Sequence, residues 1–107
     1  IRPDAAVELD KIVEVMNEYA DMVVELGSHT DCRATVSYNR SLSDRRAKSS
    51  ANYIRSRISK PERIYGKGYG ESKLKNRCEC EGRRAVPCSE DEHQENRRTE
   101  FVIITMD

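Results

Sequence analysis

The chain has 107 residues, which fits a single domain spanning 1–107 with one modest core. Its 19 basic residues balance 19 acidic ones, and it has no tryptophan and one phenylalanine. It therefore lacks both the basic footprint and the aromatic platform of a nucleic-acid binder. No apolar run approaches the roughly 20 residues of a membrane span, so any membrane association would come through a parent protein. Ile1 is not an initiator methionine and no signal peptide precedes the first element, which reads as a segment of a longer precursor.

Pro3 to Ala20 is predicted to be a helix. Pro3 suits a first turn, and Ala6, Leu9, Ile12, Val13, Met16 and Tyr19 recur at three- and four-residue spacing as a core-facing stripe. Met22 to Ser28 reads as a strand with Met22, Val24 and Leu26 on one face. Ser37 to Ile58 is the longest predicted helix, with Leu42, Ala47, Ala51, Ile54 and Ile58 buried and Pro61 ending it. Ile64 to Tyr69 is a second strand running into Gly66, Gly68 and Gly70, which permit a tight turn and close backbone approach. The spacing of those glycines fits neither nucleotide-binding motif.

Ser72 to Cys88 reads as an irregular loop. Ser89 then caps a short helix, with Glu92 three residues on completing a capping box. Thr99 to Thr105 is a closing strand, apolar enough to be well buried. The fold class is α/β, with helices packed on one mixed β-sheet.

Chemistry concentrates between His29 and Ala47. Asp31 stands at the carboxyl end of the first strand, where open α/β sheets usually bind ligands. Asn39 and Arg46 are seven apart and share one face of the following helix. Asp31 and Arg46 fit either a structural salt bridge or recognition of a zwitterion, the carboxylate taking an ammonium and the guanidinium a carboxylate. His29 reads as a structural residue at the strand end.

Four cysteines in so small a domain favour an oxidising compartment or a metal site. Cys78, Cys80, Cys88 and His93 could supply zinc ligands, although C-x-C is tighter than the usual knuckle. Disulfides fit better, and since Cys78 and Cys80 pair poorly with each other, Cys88 should join one of them. Cys32 could then pair with whichever of the two remains, because the loop and Asp31 should lie at the same end of the sheet. A nucleophilic Cys32 is the remaining alternative, although nothing in the sequence builds an oxyanion hole.

Four blocks carry a resemblance to a known family: Ser28-His29-Thr30-Asp31, Tyr38 to Ala47, Gly68-Tyr69-Gly70-Glu71 and Asn96-Arg97-Arg98. In order and spacing they are similar to the peptidoglycan-binding domain of OmpA-type outer-membrane proteins, shared with the Pal lipoprotein and the flagellar stator protein MotB. Ser28 departs from the usual glycine, and the cysteine loop stands where many members have a plain polar loop. The resemblance implies β-α-β-α-β-α-β topology with the first strand missing or truncated here, which would leave a sheet edge open to self-association.

The resemblance also implies a non-catalytic module without cofactors, binding the diaminopimelate residue of the peptidoglycan stem peptide. Asp31 and Arg46 fall on the ligand-holding positions. Thr30, Asn39, Leu42 and Ser43 fall on the pocket wall, and Arg97 on an arginine near the ligand, with Arg98 bracing the fold. Asn76-x-Cys78 and Cys88 match a cysteine-containing version of the loop, which favours Cys78–Cys88 and leaves Cys80 for Cys32. The implied role is anchoring an outer-membrane or periplasmic protein to the cell wall. The alternatives are an interaction domain of the same fold without ligand, or a thiol or zinc enzyme.

Overall fold

A computed structural model describes residues 3–76, 78, 80 and 88–106. The elements run α1 (Pro3–Glu18), β1 (Val23–His29), α2 (Val36–Arg55), a 3-10 turn (Pro61–Arg63), β2 (Ile64–Gly70), α3 (Glu90–Asn96) and β3 (Arg98–Thr105). This is the predicted order, with one 3-10 turn added. The sheet has three strands in the order β2-β1-β3, β1 being parallel to β2 and antiparallel to β3. Among the described residues no strand precedes α1.

The core lies between the helices and one sheet face. Leu9 and Met16 of α1 meet Val24 and Leu26 of β1, Ile64 of β2, and Ala47, Ala51 and Ile54 of α2. Ile12, Val13 and Ile58 are partly buried against this cluster, whereas Tyr19 is 46% exposed because α1 ends one residue before it.

Small residues let α2 lie almost on the backbone of β2. A Cβ on Gly66 would sit 2.4 Å from the Ala47 carbonyl oxygen, and one on Gly68 would sit 2.1 Å from the Asp44 nitrogen. The close approach read from these glycines is therefore present. The tight turn is present too, at the third glycine: the strand runs through the first two to Gly70, where φ is +57°, and Ser72 N then donates to the Tyr69 carbonyl at 3.1 Å.

The expected burial of the closing strand is also corrected. Val102, Ile103 and Ile104 are 45%, 53% and 51% exposed. β3 is an edge strand, and among the described residues nothing pairs with its outer side. Apolar composition fixes what a residue prefers, not whether the fold supplies a cover.

Both expected disulfides are formed, Cys78–Cys88 and Cys32–Cys80. They clip the loop after β2 to the start of α3 and to the turn after β1. The zinc and nucleophile alternatives fall with them, since a disulfide sulfur is neither a thiolate ligand nor a nucleophile.

Buried Arg63 closes the opposite end of the sheet. Its Nη1 donates to the carbonyl oxygens of Met16, Tyr19 and Met22, each at 3.1 Å, and its Nε donates to the Ser59 carbonyl at 3.1 Å. The first two lie at the end of α1, which lacks a basic last turn, and that of Tyr19 also accepts from Met22 N at 3.0 Å.

Candidate binding site

The turn from β1 to α2 is built by short polar links. Thr30 N donates to the Gly70 carbonyl at 2.9 Å, which ties the ends of β1 and β2 together. Thr35 caps α2, its hydroxyl accepting from Tyr38 N at 3.1 Å. Asn39, buried in the first turns of α2, donates through Nδ2 to the carbonyls of Asp31 and Arg33 and to Glu71 Oε1, at 3.0 to 3.2 Å. One amide thus holds three segments.

Six of the seven predicted residues line one hollow of about 290 Å³: Thr30, Asp31, Asn39, Leu42, Arg46 and Arg97. Arg33, Ala34 and Tyr38 complete its wall. Ser43, the seventh, is fully buried and lies outside the lining. Its Oγ accepts from Gly70 N at 2.8 Å and donates to the Arg40 carbonyl at 3.0 Å, so it joins α2 to the end of β2 beneath the site.

Asp31 and Arg46 do not pair with each other, which corrects the salt-bridge alternative. Asp31 Oδ1 accepts from Arg33 N at 2.9 Å, an Asx-type turn. Its Oδ2 accepts from Arg33 Nη2 at 2.8 Å and Arg97 Nη1 at 2.6 Å. Glu90 takes the other arms of the same two arginines, at 2.8 and 2.5 Å. The result is a ring of alternating charge, Asp31–Arg33–Glu90–Arg97, at the mouth of the hollow.

Two acids and two arginines cancel within the ring, so the Arg46 guanidinium is surplus. It is exposed, and among the described residues it has no hydrogen-bonding or ion-pair partner. Burial alone would raise the pKa of Asp31. The side-chain and backbone hydrogen bonds from Arg33, then that from Arg97, outweigh it and lower the pKa to about 2. The carboxylate is thus charged at any physiological pH. Glu90 is likewise lowered, by Arg33 and then Arg97.

Thr30 Oγ1 is buried without a partner beside Asp31. An unpaired buried hydroxyl costs about 1–3 kcal/mol, so a polar ligand atom reaching it would recover that. His29 is 4% exposed and stacks on Tyr69 with ring centroids 5.0 Å apart. Burial, then the Arg98 charge, lowers its pKa. Arg98 turns away from the ring, to Glu100 Oε1 at 2.6 Å and the Lys73 carbonyl at 2.7 Å.

Sequence reasoning missed Arg33 and Glu90. Arg33 had a signal, standing two residues after an aspartate in a turn. Glu90 had a weaker one, in the first turn of a capped helix beside the cysteine loop.

The arrangement defines a class of protein: a small α/β module that presents a fixed carboxylate and a free guanidinium at the end of its sheet. The OmpA family model matches residues 1–86, four fifths of the chain, and the chain belongs to this family. Asp31 and Arg46 fall inside the matched part and Arg97 outside it.

Photosystem I P700 chlorophyll a apoprotein A2 of Gloeobacter violaceus is 32% identical over 106 residues, which cover 98% of this chain but only 12% of that protein. Among solved structures, the peptidoglycan-associated lipoprotein of Burkholderia pseudomallei superposes with a TM-score of 0.76 at 17% identity, covering 96% of this chain and 80% of that one. The cell wall anchor of the T6SS of Pseudomonas aeruginosa gives 0.73 at 23% identity, covering 94% and 66%. At such identities the likeness is one of fold. Among the described residues no helix is long and apolar enough to cross a membrane.

Proposed function

We propose that this domain binds peptidoglycan through the diaminopimelate of the stem peptide and anchors a larger periplasmic or outer-membrane protein to the cell wall. One observation carries the reading: among the described residues the unpartnered Arg46 guanidinium shares a hollow with Asp31, whose pKa is lowered to about 2, and the orphan Thr30 hydroxyl. A free amino-acid end supplies the complement, an ammonium and a carboxylate on one stereocentre. Arg46 takes the carboxylate through two parallel N–H donors. The ammonium meets the small exposed part of the Asp31 side chain, 9% of it, and shares the carboxylate with the half-exposed Arg33.

Two of the similar structures are named as a cell wall anchor and a peptidoglycan-associated lipoprotein, which supports the reading. The Gloeobacter relative, of which the matched region is a small part, supports the role of a module within a longer protein.

Sedimentation with purified cell-wall sacculi tests it. Removing one partner of a desolvated charge pair typically costs about 2–5 kcal/mol, so Asp31→Ala and Arg46→Ala should each weaken binding at least about tenfold. Arg46→Lys should also lose most of its binding, because one ammonium cannot make a two-pronged contact. Folding is checked by circular dichroism. Wild-type protein that stays in the supernatant, or a folded Arg46→Ala variant that sediments like wild type, sinks the proposal.

A further inference from the structure

A second, larger hollow of about 450 Å³ lies beside the first, and Arg46 and Arg97 line both. Its other polar side chains are His29, Arg98, which is turned to Glu100 and the Lys73 carbonyl, and hydroxyls from three elements: Ser28 of β1, Ser49 and Ser50 of α2, and Thr99 of β3. Arg46, Ser49 and Ser50 are spaced i, i+3 and i+4 on α2 and so share one helical face. Ser28 and Thr99 are cross-strand partners on neighbouring strands. None of these five side chains has a hydrogen-bonding or ion-pair partner among the described residues.

That pattern contrasts with the ring next door. There, the two acids and two arginines satisfy one another. Here, four hydroxyls and one face of a guanidinium converge on an open space and meet only solvent. Each hydroxyl can donate and accept, and the guanidinium carries five donors and no acceptor. Together they match a ligand rich in carbonyl oxygens with a carboxylate among them. No acidic side chain lines this hollow, so it disfavours a second ammonium.

We infer that this hollow is a second subsite, which takes the amide- and carboxylate-bearing residue joined to the zwitterion in the same stem peptide. The inference rests on the proposed diaminopimelate site, because the shared wall of Arg46 and Arg97 sets the two hollows side by side, within reach of one continuous ligand. An γ-linked glutamyl residue has the required chemistry: a free α-carboxylate and two flanking amides. The guanidinium of Arg46 then bridges the two carboxylates of the ligand, one on each side.

The test compares two probes by titration calorimetry: free meso-diaminopimelate, and the tripeptide L-Ala-γ-D-Glu-meso-diaminopimelate. Wild-type protein should bind the tripeptide at least about tenfold more tightly. Ser49→Leu, at an exposed helical position, should fill the hollow and remove that gain while leaving affinity for free diaminopimelate unchanged. Ser28→Gly, which deletes a hydroxyl without adding bulk, should remove part of the gain. If free diaminopimelate does not bind at all, the site reading itself falls. If it binds but the tripeptide gains nothing, or if the gain survives both variants, the second subsite alone is overturned.

Discussion

The two strands that flank β1 are held by different forces. On one side β2 is pressed against α2 so closely that Gly66 and Gly68 have no room for a Cβ, and Ile64 is fully buried. On the other side β3 carries three consecutive half-exposed apolar residues. Besides its ladder with β1 and the packing of Phe101 on the core, its attachments are polar and lie at its start: Arg97, the residue before it, to Asp31, and Arg98 to Glu100 and to the Lys73 carbonyl. One flank is thus set mainly by close packing against a helix, and the other by its ladder and by charge at its start. The contrast teaches where each kind of perturbation will be felt, and why the binding hollows lie toward the second flank. Close packing leaves no space for a ligand, whereas an assembly of charges around a gap does.

The largest expected effect breaks the first flank. In Gly68→Ala the new methyl would meet the Asp44 backbone at 2.1 Å, where no rotamer change gives relief. Overpacking against backbone should cost about 3 kcal/mol or more, read as a drop in the denaturant midpoint. A variant as stable as wild type would show that α2 and β2 can part without loss.

The second effect concerns the charged flank and acid. The folded pKa of Asp31, about 2, lies below its ordinary 3.8, so the unfolded chain binds the proton first. The stabilisation is complete above about pH 4 and is lost as pH falls from there through 2, up to about 2 kcal/mol in all. Urea titrations of wild type and Asp31→Asn should converge over that window, with wild type the more stable at pH 6. Parallel pH profiles would remove the ring as the support of this flank.

The smallest effect is expected at Ile103, which is 53% exposed on the edge strand. Ile103→Thr keeps a β-branched side chain and should change stability by no more than about 0.5 kcal/mol. A loss of 2 kcal/mol would reveal that this residue is covered in solution and would erase the contrast.

How much of this was legible in the sequence follows from the range of each signal. The capping box of Ser89 and Glu92, the stripe of α1 and the alternation of β1 are local, and they read correctly. The gathering of Asp31, Asn39 and Arg46 followed from a strand end and a helical period. The burial of β3 was misread because apolar composition does not say which strand a helix will cover: β2 is an edge too, but α2 lies on it. The charged ring could not be read at all from spacing. Glu90 lies 57 residues from Arg33 and Arg97 lies 66 from Asp31, and α3 is held near them by two disulfides and by the bonds of Asn76 and Lys75 to Glu92 and Asn96.

Arg63 has a consequence for the order of assembly. The corner between α1 and β1 holds no glycine or proline, and its carbonyls are satisfied by a guanidinium 41 to 47 positions further along the chain. That corner has one local bond, from Met22 N to the Tyr19 carbonyl, and takes its remaining bonds from Arg63. It must wait until the chain has run through α2 and returned to begin β2, which makes it a long-range closure and not a local turn. Amide exchange at Met22, whose N–H donates to the Tyr19 carbonyl at 3.0 Å, should then proceed only through global unfolding, despite a position near the surface end of a helix.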